Sequence, residues 1–307
     1  MSDKPILSLC IPTNGVAEWV FPVLDSIFRQ SVESELYEVV ITDNGNNRKF
    51  KEELKSYQGK YSNIIYAETN ALPFLNEIEA YKRAKGILIK FVNHRTMLVE
   101  GALQKLIDFV KSNINEKPIV YFANGVLEIE KTQYVYANFD QFVKNLSYYS
   151  SWSTGMAIWK DDFEKLPEQI TDFNELFPHI TVLFKERDKE KYLIDNTIIM
   201  KEIPICNIPK GTYDLFYAFG IEYPRTISDL LRDGSITTET YRFVIRENLG
   251  FIIELYWNYC IRKCPCSYNL NGLENIWGVF YKKSEFVVNC FKYGIERTAR
   301  KFGLIRW

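Results

Sequence analysis

Two polar stretches near the start of this 307-residue chain hold residue types suited to chemistry. Thr13-Asn14-Gly15 follows the apolar run Leu7-Ser8-Leu9-Cys10-Ile11-Pro12, and Asp43-Asn44-Gly45-Asn46-Asn47 follows Glu38-Val39-Val40-Ile41-Thr42. A carboxylate such as Asp43 accepts hydrogen bonds from base N–H or ribose hydroxyl groups. The runs before the two loops read as buried parallel strands. Between them Val20, Val23, Leu24, Ile27 and Phe28 recur at the spacing of a helix with one apolar face. In open α/β sheets, polar and acidic loops at the ends of such a βαβ unit are the usual place for a nucleotide.

Ser8-Leu9-Cys10-Ile11-Pro12-Thr13-Asn14 resembles the opening strand of glycosyltransferase family 2. Asp25-Ser26-Ile27-Phe28-Arg29-Gln30-Ser31 is similar to the family's first helix, and Val39-Val40-Ile41-Thr42-Asp43-Asn44-Gly45 to its second strand and acidic loop. The likeness is good over about the first third of the chain and looser to Ile205. It implies an α/β fold of GT-A type: a mostly parallel, Rossmann-like sheet flanked by helices. It also implies that Asp43 meets the nucleobase or ribose, that Pro12, Thr13 and Asn14 shape the pocket, and that Asn70 contributes from the loop after the third strand. The aromatic that the family usually places between Asn14 and Gly15 is missing.

The departure that matters most comes after the strand Ile87 to Val92. The family places an Asp-x-Asp there, ahead of a helix that starts like Gly101-Ala102-Leu103. Here the carboxylate positions fall on Asn93, His94, Arg95 and Thr96. Hard cations want anionic oxygen ligands, and an arginine repels them, so a usual magnesium or manganese site is not expected and neither is a cofactor. Three readings compete. Arg95, with His94, replaces the metal as the positive partner of the donor phosphate, since its fork of N–H donors matches phosphate oxygens. Alternatively, the donor carries less charge, as a nucleoside monophosphate sugar does. In the third, catalysis is lost and the protein binds or scaffolds another transferase.

The chain has 2 histidines. Ser153-Thr154-Gly155-Met156-Ala157-Ile158-Trp159 resembles the family's acceptor-side strand, and Asp172-Phe173-Asn174-Glu175-Leu176-Phe177-Pro178-His179 a segment of related surface-glycan transferases. Inverting transfer, implied by the family, needs a base near the acceptor hydroxyl. Asp172 and Glu175 are the candidates, with His179 next. Against these stand plainer roles, a helix N-terminal charge for each carboxylate and a structural hydrogen bond for His179.

A net charge of −1 gives a nucleic-acid role no support. The many aromatics (20 Tyr, 21 Phe and 6 Trp) fit a core or sugar-stacking surfaces. Met1-Ser2-Asp3-Lys4 gives no signal peptide, and no apolar run reaches membrane-span length. Cys260, Cys264 and Cys266 lack zinc spacing and read as buried free thiols in a reducing cytoplasm. Gly86 reads as a left-handed helix stop, and Val126–Glu130 with Gln133–Ala137 as a hairpin. The expected organisation is a GT-A-like domain over 1–205 and a helical region over 206–307, with Tyr213–Phe219, Tyr241–Tyr259 and Asn275–Phe302 helical. From Tyr281 to Trp307, 7 Lys/Arg stand against Glu285 and Glu296, a local excess of +5. This suits a basic amphipathic surface on anionic lipid, or a helix packed back on the protein. The expected activity is sugar transfer from a nucleotide-sugar donor to a saccharide or lipid-linked acceptor of a bacterial surface glycan (capsule, O-antigen or lipooligosaccharide). The expected place is the cytoplasm, peripheral on the inner face of the plasma membrane.

Overall fold

The apolar runs do become parallel strands. In the computed structural model, which describes residues 4–166, 169, 173–185, 187–204 and 208–301, β1 (Leu7–Thr13), β2 (Tyr37–Asp43), β3 (Ile64–Glu68), β4 (Leu88–Phe91) and an antiparallel β8 (Ala157–Trp159) form a sheet of order β3-β2-β1-β4-β8. The intervening elements are α1 (Ala17–Phe28), α2 (Arg48–Lys60), α3 (Asn76–Arg83), β5 (Thr96–Leu98), α4 (Ala102–Asn113), β6 (Ile119–Phe122), β7 (Gln133–Tyr136) and α5 (Phe139–Leu146). After β8 come α6 (Lys160–Phe163), α7 (Pro178–Lys185), β9 (Tyr192–Asp195) and β10 (Met200–Glu202).

Leu7, Leu9, Ile11, Val39 and Ile41 have no exposed surface, because the first two strands are covered on both faces. Full burial of such side chains stabilises by about 1.5–3 kcal/mol each. Helix α1 closes one face with Val20, Val23, Leu24 and Ile27. The parallel register sets Thr13 beside Asp43, so both polar loops leave the sheet at the same end.

The chain divides into two compact units, Met1–Phe142 with Tyr149–Pro204, and Val143–Tyr148 with Ile205–Trp307. In the second, α8 (Leu215–Tyr217) runs through a π-helical turn (Ala218–Glu222) into α9 (Tyr223–Arg232), followed by α10 (Thr238–Tyr256) and α11 (Lys283–Lys301). Asn248 donates to the Phe219 carbonyl and to the Tyr281 hydroxyl, both at 2.7 Å, tying α10 to its neighbours. A Cβ on Gly294 would lie 2.7 Å from the Trp257 ring, so this glycine lets α11 pack on the end of α10.

Several expectations are corrected. Gly86 does not take a left-handed φ. It is glycine because a Cβ would lie 2.5 Å from the Ser8 nitrogen. Val126–Glu130 is not a strand, and β7 pairs antiparallel with β9 in the sheet β6-β9-β7. The helix expected from Asn275 begins only at Lys283, since a short 3-10 turn at Asn271–Asn275 and an irregular stretch precede α11. The thiols are not uniformly buried: Cys10 is, but Cys260, Cys264 and Cys290 are half-buried and Cys266 is exposed.

Candidate functional site

The loop after β2 is built around the Asp43 carboxylate. Its Oδ1 accepts from the Gly45 backbone N–H at 2.8 Å and its Oδ2 from the Tyr66 hydroxyl at 3.1 Å. Asp43 is only 1% exposed, so its burial pushes the carboxyl's pKa up while the two hydrogen bonds pull it down. Gly45 is required by close packing, since a Cβ there would lie 2.0 Å from the Asn14 carbonyl oxygen. Asn14 itself is exposed, Pro12 is half-buried, and Thr13 is buried.

A residue that sequence reasoning passed over holds the two loops together. Asn76, in the first turn of α3, donates to the carbonyls of Thr13 at 3.1 Å and Thr42 at 2.8 Å. Its own Oδ1 accepts from the Thr69 hydroxyl at 2.7 Å. Asn70, the asparagine expected to contribute, is exposed in the preceding loop. The signal was present as a second asparagine six positions on, at the helix start, where a fixed backbone can aim an amide.

The turn after β4 has different chemistry. Asn93 Oδ1 accepts from the Arg95 backbone N–H at 3.0 Å and from Arg95 Nε at 3.4 Å. His94 Nδ1 meets Thr13 Oγ1 at 2.9 Å, joining this turn to the first loop. Trp19, in the first turn of α1, lies against both: its ring centroid is 5.0 Å from that of His94 and 5.5 Å from Arg95 Cζ. A guanidinium on an indole face is stabilised by about 0.5–1 kcal/mol at an exposed site and more when dry. Burial, helped by the Arg95 charge, lowers the His94 pKa to about 3, so the ring is neutral at physiological pH. Arg95 alone therefore supplies the turn's positive charge. Its Nη1 is buried without a hydrogen-bond partner among the described residues.

These residues do not fit a hard divalent cation. Asn93 Oδ1 is occupied by Arg95, the near nitrogen of His94 by Thr13, and the guanidinium opposes a cation directly. Among the described residues no group of three or more His, Cys, Asp or Glu gathers in a way that could hold a metal.

Of the base candidates, Asp172 lies outside the described residues, and Glu175 is exposed in the turn before α7. Pro178 opens α7 as its residue type predicts. His179 is drawn into the core. Its Nε2 meets the Ser151 carbonyl at 3.0 Å, and its Nδ1 lies 3.7 Å from the buried carboxylate of Glu77. Burial lowers the His179 pKa to about 4 and raises that of Glu77 well above the usual carboxyl range. The structural hydrogen bond foreseen for His179 is present. Near this turn, Thr96, Tyr121, Trp152, Thr154 and Gly155 help to line a cavity of about 190 Å³.

A mostly parallel sheet with these polar turns at one strand end is a GT-A-like fold, and solved glycosyltransferase structures resemble it. Residues 1–349 of S. aureus TarS in complex with UDP-GlcNAc align with a TM-score of 0.57 at 13% identity, over 89% of this chain and 80% of that one. A longer S. aureus TarS structure aligns with a TM-score of 0.53 at 11% identity, over 81% of this chain and 43% of that one. At such identities the likeness establishes the fold. By sequence, a poly(ribitol-phosphate) beta-glucosyltransferase of Bacillus spizizenii is 28% identical over 110 residues, 35% of this chain and 17% of that protein. This chain thus spans less than a fifth of the length of that relative. No protein-family model matches the chain.

Proposed function

We propose that this chain transfers a sugar from a nucleotide-sugar donor to a cell-surface glycan acceptor, with inversion, and that Arg95 takes the place of the metal on the donor phosphate. The carrying observation is Arg95 Nη1, buried and, among the described residues, without a hydrogen-bond partner, in the turn that His94 joins to Thr13. Leaving a buried donor unsatisfied is unfavourable by about 1–3 kcal/mol, and more for a charged group, so a phosphate oxygen is its natural partner. The UDP-GlcNAc bound to TarS supports a uridine diphosphate donor, and the B. spizizenii relative's name supports an acceptor rich in polyol phosphate. Asp172 or Glu175 would take the acceptor proton. Asp172→Asn and Glu175→Gln separate them, because loss of the base removes turnover while donor affinity stays.

The test is a thermal-shift screen with UDP, UDP-GlcNAc and GDP-mannose, followed by turnover with and without EDTA. A ligand that binds only the folded state raises the melting temperature. UDP compounds should raise it without added metal, and activity should survive EDTA. Activity abolished by EDTA and restored by manganese overturns the arginine reading. Binding without turnover for any donor favours a non-catalytic partner of another transferase.

We also place the chain at the inner face of the plasma membrane through α11. Among the described residues no helix is long and apolar enough to cross a membrane. Helix α11 buries Phe286 against Tyr256 and Trp277. Its opposite side exposes Val287 by 56%, Val288 by 54%, Phe291 by 72% and Ile295 by 54%. Such a stripe in a segment with a +5 excess suits anionic lipid better than a neutral protein surface. Vesicles containing phosphatidylglycerol should bind the protein, salt should weaken that binding, and Phe291→Glu with Ile295→Glu should abolish it. A dimer in solution that the double variant dissociates, with no vesicle binding, reassigns the stripe to a second copy.

A further inference from the structure

The sheet hides a cation that metal-free sugar transfer through Arg95 leaves unused. Lys90 is central in β4, within an otherwise apolar strand, and it has no exposed surface. Its Nζ donates to the carbonyls of Phe91 at 2.9 Å, Thr154 at 2.6 Å and Met156 at 3.2 Å. An ammonium has three N–H donors, and here each has a carbonyl. Among the described residues Lys90 forms no ion pair with a carboxylate; its Nζ also lies 5.5 Å from the centroid of the Phe122 ring. Burial lowers its pKa to about 7. The three carbonyls act the other way, since hydrogen bonding to the charged form favours it.

Two of those carbonyls belong to the residues flanking Gly155. Gly155 is pressed against the Tyr121 ring so closely that a Cβ would lie 2.1 Å from Cζ. The single O–H of Tyr121 lies between the carbonyls of Tyr149 at 2.5 Å and Trp152 at 2.7 Å and is shared by them. The Ser153–Met156 segment is thus held on one side by a phenol ring and on the other by an ammonium. Thr154 and Gly155 line the 190 Å³ cavity together with Thr96, the residue after Arg95. Lys90 stands three residues before the turn that presents Arg95 and five before Arg95 itself. The Phe91 backbone N–H also reaches the Met156 carbonyl at 3.1 Å, as part of the β4–β8 pairing, so Lys90 adds a side-chain tie that extends this hold to Thr154 at the wall of the cavity.

We propose that Lys90 is the positioning residue of the acceptor side: its ammonium pins the Thr154 and Met156 carbonyls to β4, so that an acceptor lodged in the adjoining cavity is held in register with the donor phosphate on Arg95. An apolar residue would pack in the same strand but leave the Thr154 carbonyl without this donor. A neutral amine, with two N–H groups, would leave one of the three carbonyls unserved. This inference rests on the sugar-transfer reading for its catalytic half, but the pin is a property of the fold.

The experiment compares wild type, Lys90→Met and Lys90→Gln by three readouts. These are UDP affinity, hydrogen exchange of the amides from Ser153 to Met156, and the ratio of sugar transfer to hydrolysis with UDP-GlcNAc and poly(ribitol phosphate). In Lys90→Met, UDP affinity should stay within about twofold, exchange at Ser153–Met156 should quicken about tenfold or more, and transfer should fall at least about tenfold relative to hydrolysis, because misplacement of one reactant by 1 Å has effects of that size. Lys90→Gln, with two N–H donors, should lie between, and it carries the comparison where the methionine variant does not fold. UDP affinity falling in step with transfer, or exchange unchanged in both variants, overturns the proposal. A wild-type protein that binds no UDP compound and transfers no sugar defeats the transfer reading instead, while the exchange data still decide the pin.

Discussion

The turns after β2 and β4 emerge at the same edge of one sheet, yet their polar groups are spent differently. After β2, Asp43 commits both oxygens to Gly45 and Tyr66, and Asn76 takes up the carbonyls on either side. After β4, Asn93 and His94 are likewise engaged, but Arg95 keeps one buried N–H donor free of any described partner. The first turn is complete without a ligand and the second is not. A buried polar group left unsatisfied is rare in folded proteins, so the second turn is where an anion has most to contribute.

Breaking the incomplete turn should have the largest effect. Arg95→Ala should lower turnover by about a hundredfold or more, since stabilising developing charge in a dry site is worth several kcal/mol. Arg95→Lys should restore only part of this, because a point charge lacks the two-pronged fork. Steady-state kinetics with UDP-GlcNAc decides the matter; equal activity in Arg95→Lys would remove the bidentate role.

Breaking the complete turn should give a smaller functional loss and a plainer structural one. Asp43→Ala should weaken UDP binding by about tenfold and lower unliganded stability by about 1–3 kcal/mol, through the unpaired Gly45 N–H and Tyr66 hydroxyl. The burial of Asp43 is what adds the stability term, which its residue type alone did not suggest. Calorimetry on the apo variant and titration with UDP check the two halves separately. Unchanged stability with lost affinity would make Asp43 a pure ligand contact.

The groups that answer to acid should act on stability, and least on turnover at neutral pH. His179 has its folded pKa lowered to about 4, below the unfolded value, so the unfolded chain takes up the proton first. The stability linked to this group is whole above about pH 6.5 and is lost as pH falls towards 4, by about 3 kcal/mol in all. His94, lowered to about 3, acts in the same direction. With 2 histidines in the chain, both imidazoles can be followed by NMR, and each should stay neutral down to pH 5 in the folded protein. A histidine that titrates near 6.5 is not held as described.

Much of the first sheet was legible because β1, β2, α1 and α4 carry unbroken periodic patterns, and periodicity follows from which face is covered. The small β5–β10 and β6-β9-β7 ladders were not, since strands of 3 or 4 residues acquire their identity from a partner far along the chain. The same limit applies to the site. Asn93, His94 and Arg95 could be located by counting along the chain, but their free and occupied donors are facts of geometry. Lys90 was passed over although a signal was present, a charge inside an apolar strand that must find partners when buried. Trp19 gave no such signal, because an indole on an apolar helix face reads as core until something polar is seen beside it.

Asn76 has a mechanical meaning as well. One amide spans the carbonyls of Thr13 and Thr42, so neither loop can lift from the sheet edge without stretching a bond to the other. Each such bond is worth about 0.5–1.5 kcal/mol, enough to bias the pair towards moving as one body. The two loops thereby lose a degree of freedom relative to each other, and, if the proposed nucleotide binds there, any movement of the pair should appear as one relaxation in rapid-mixing kinetics.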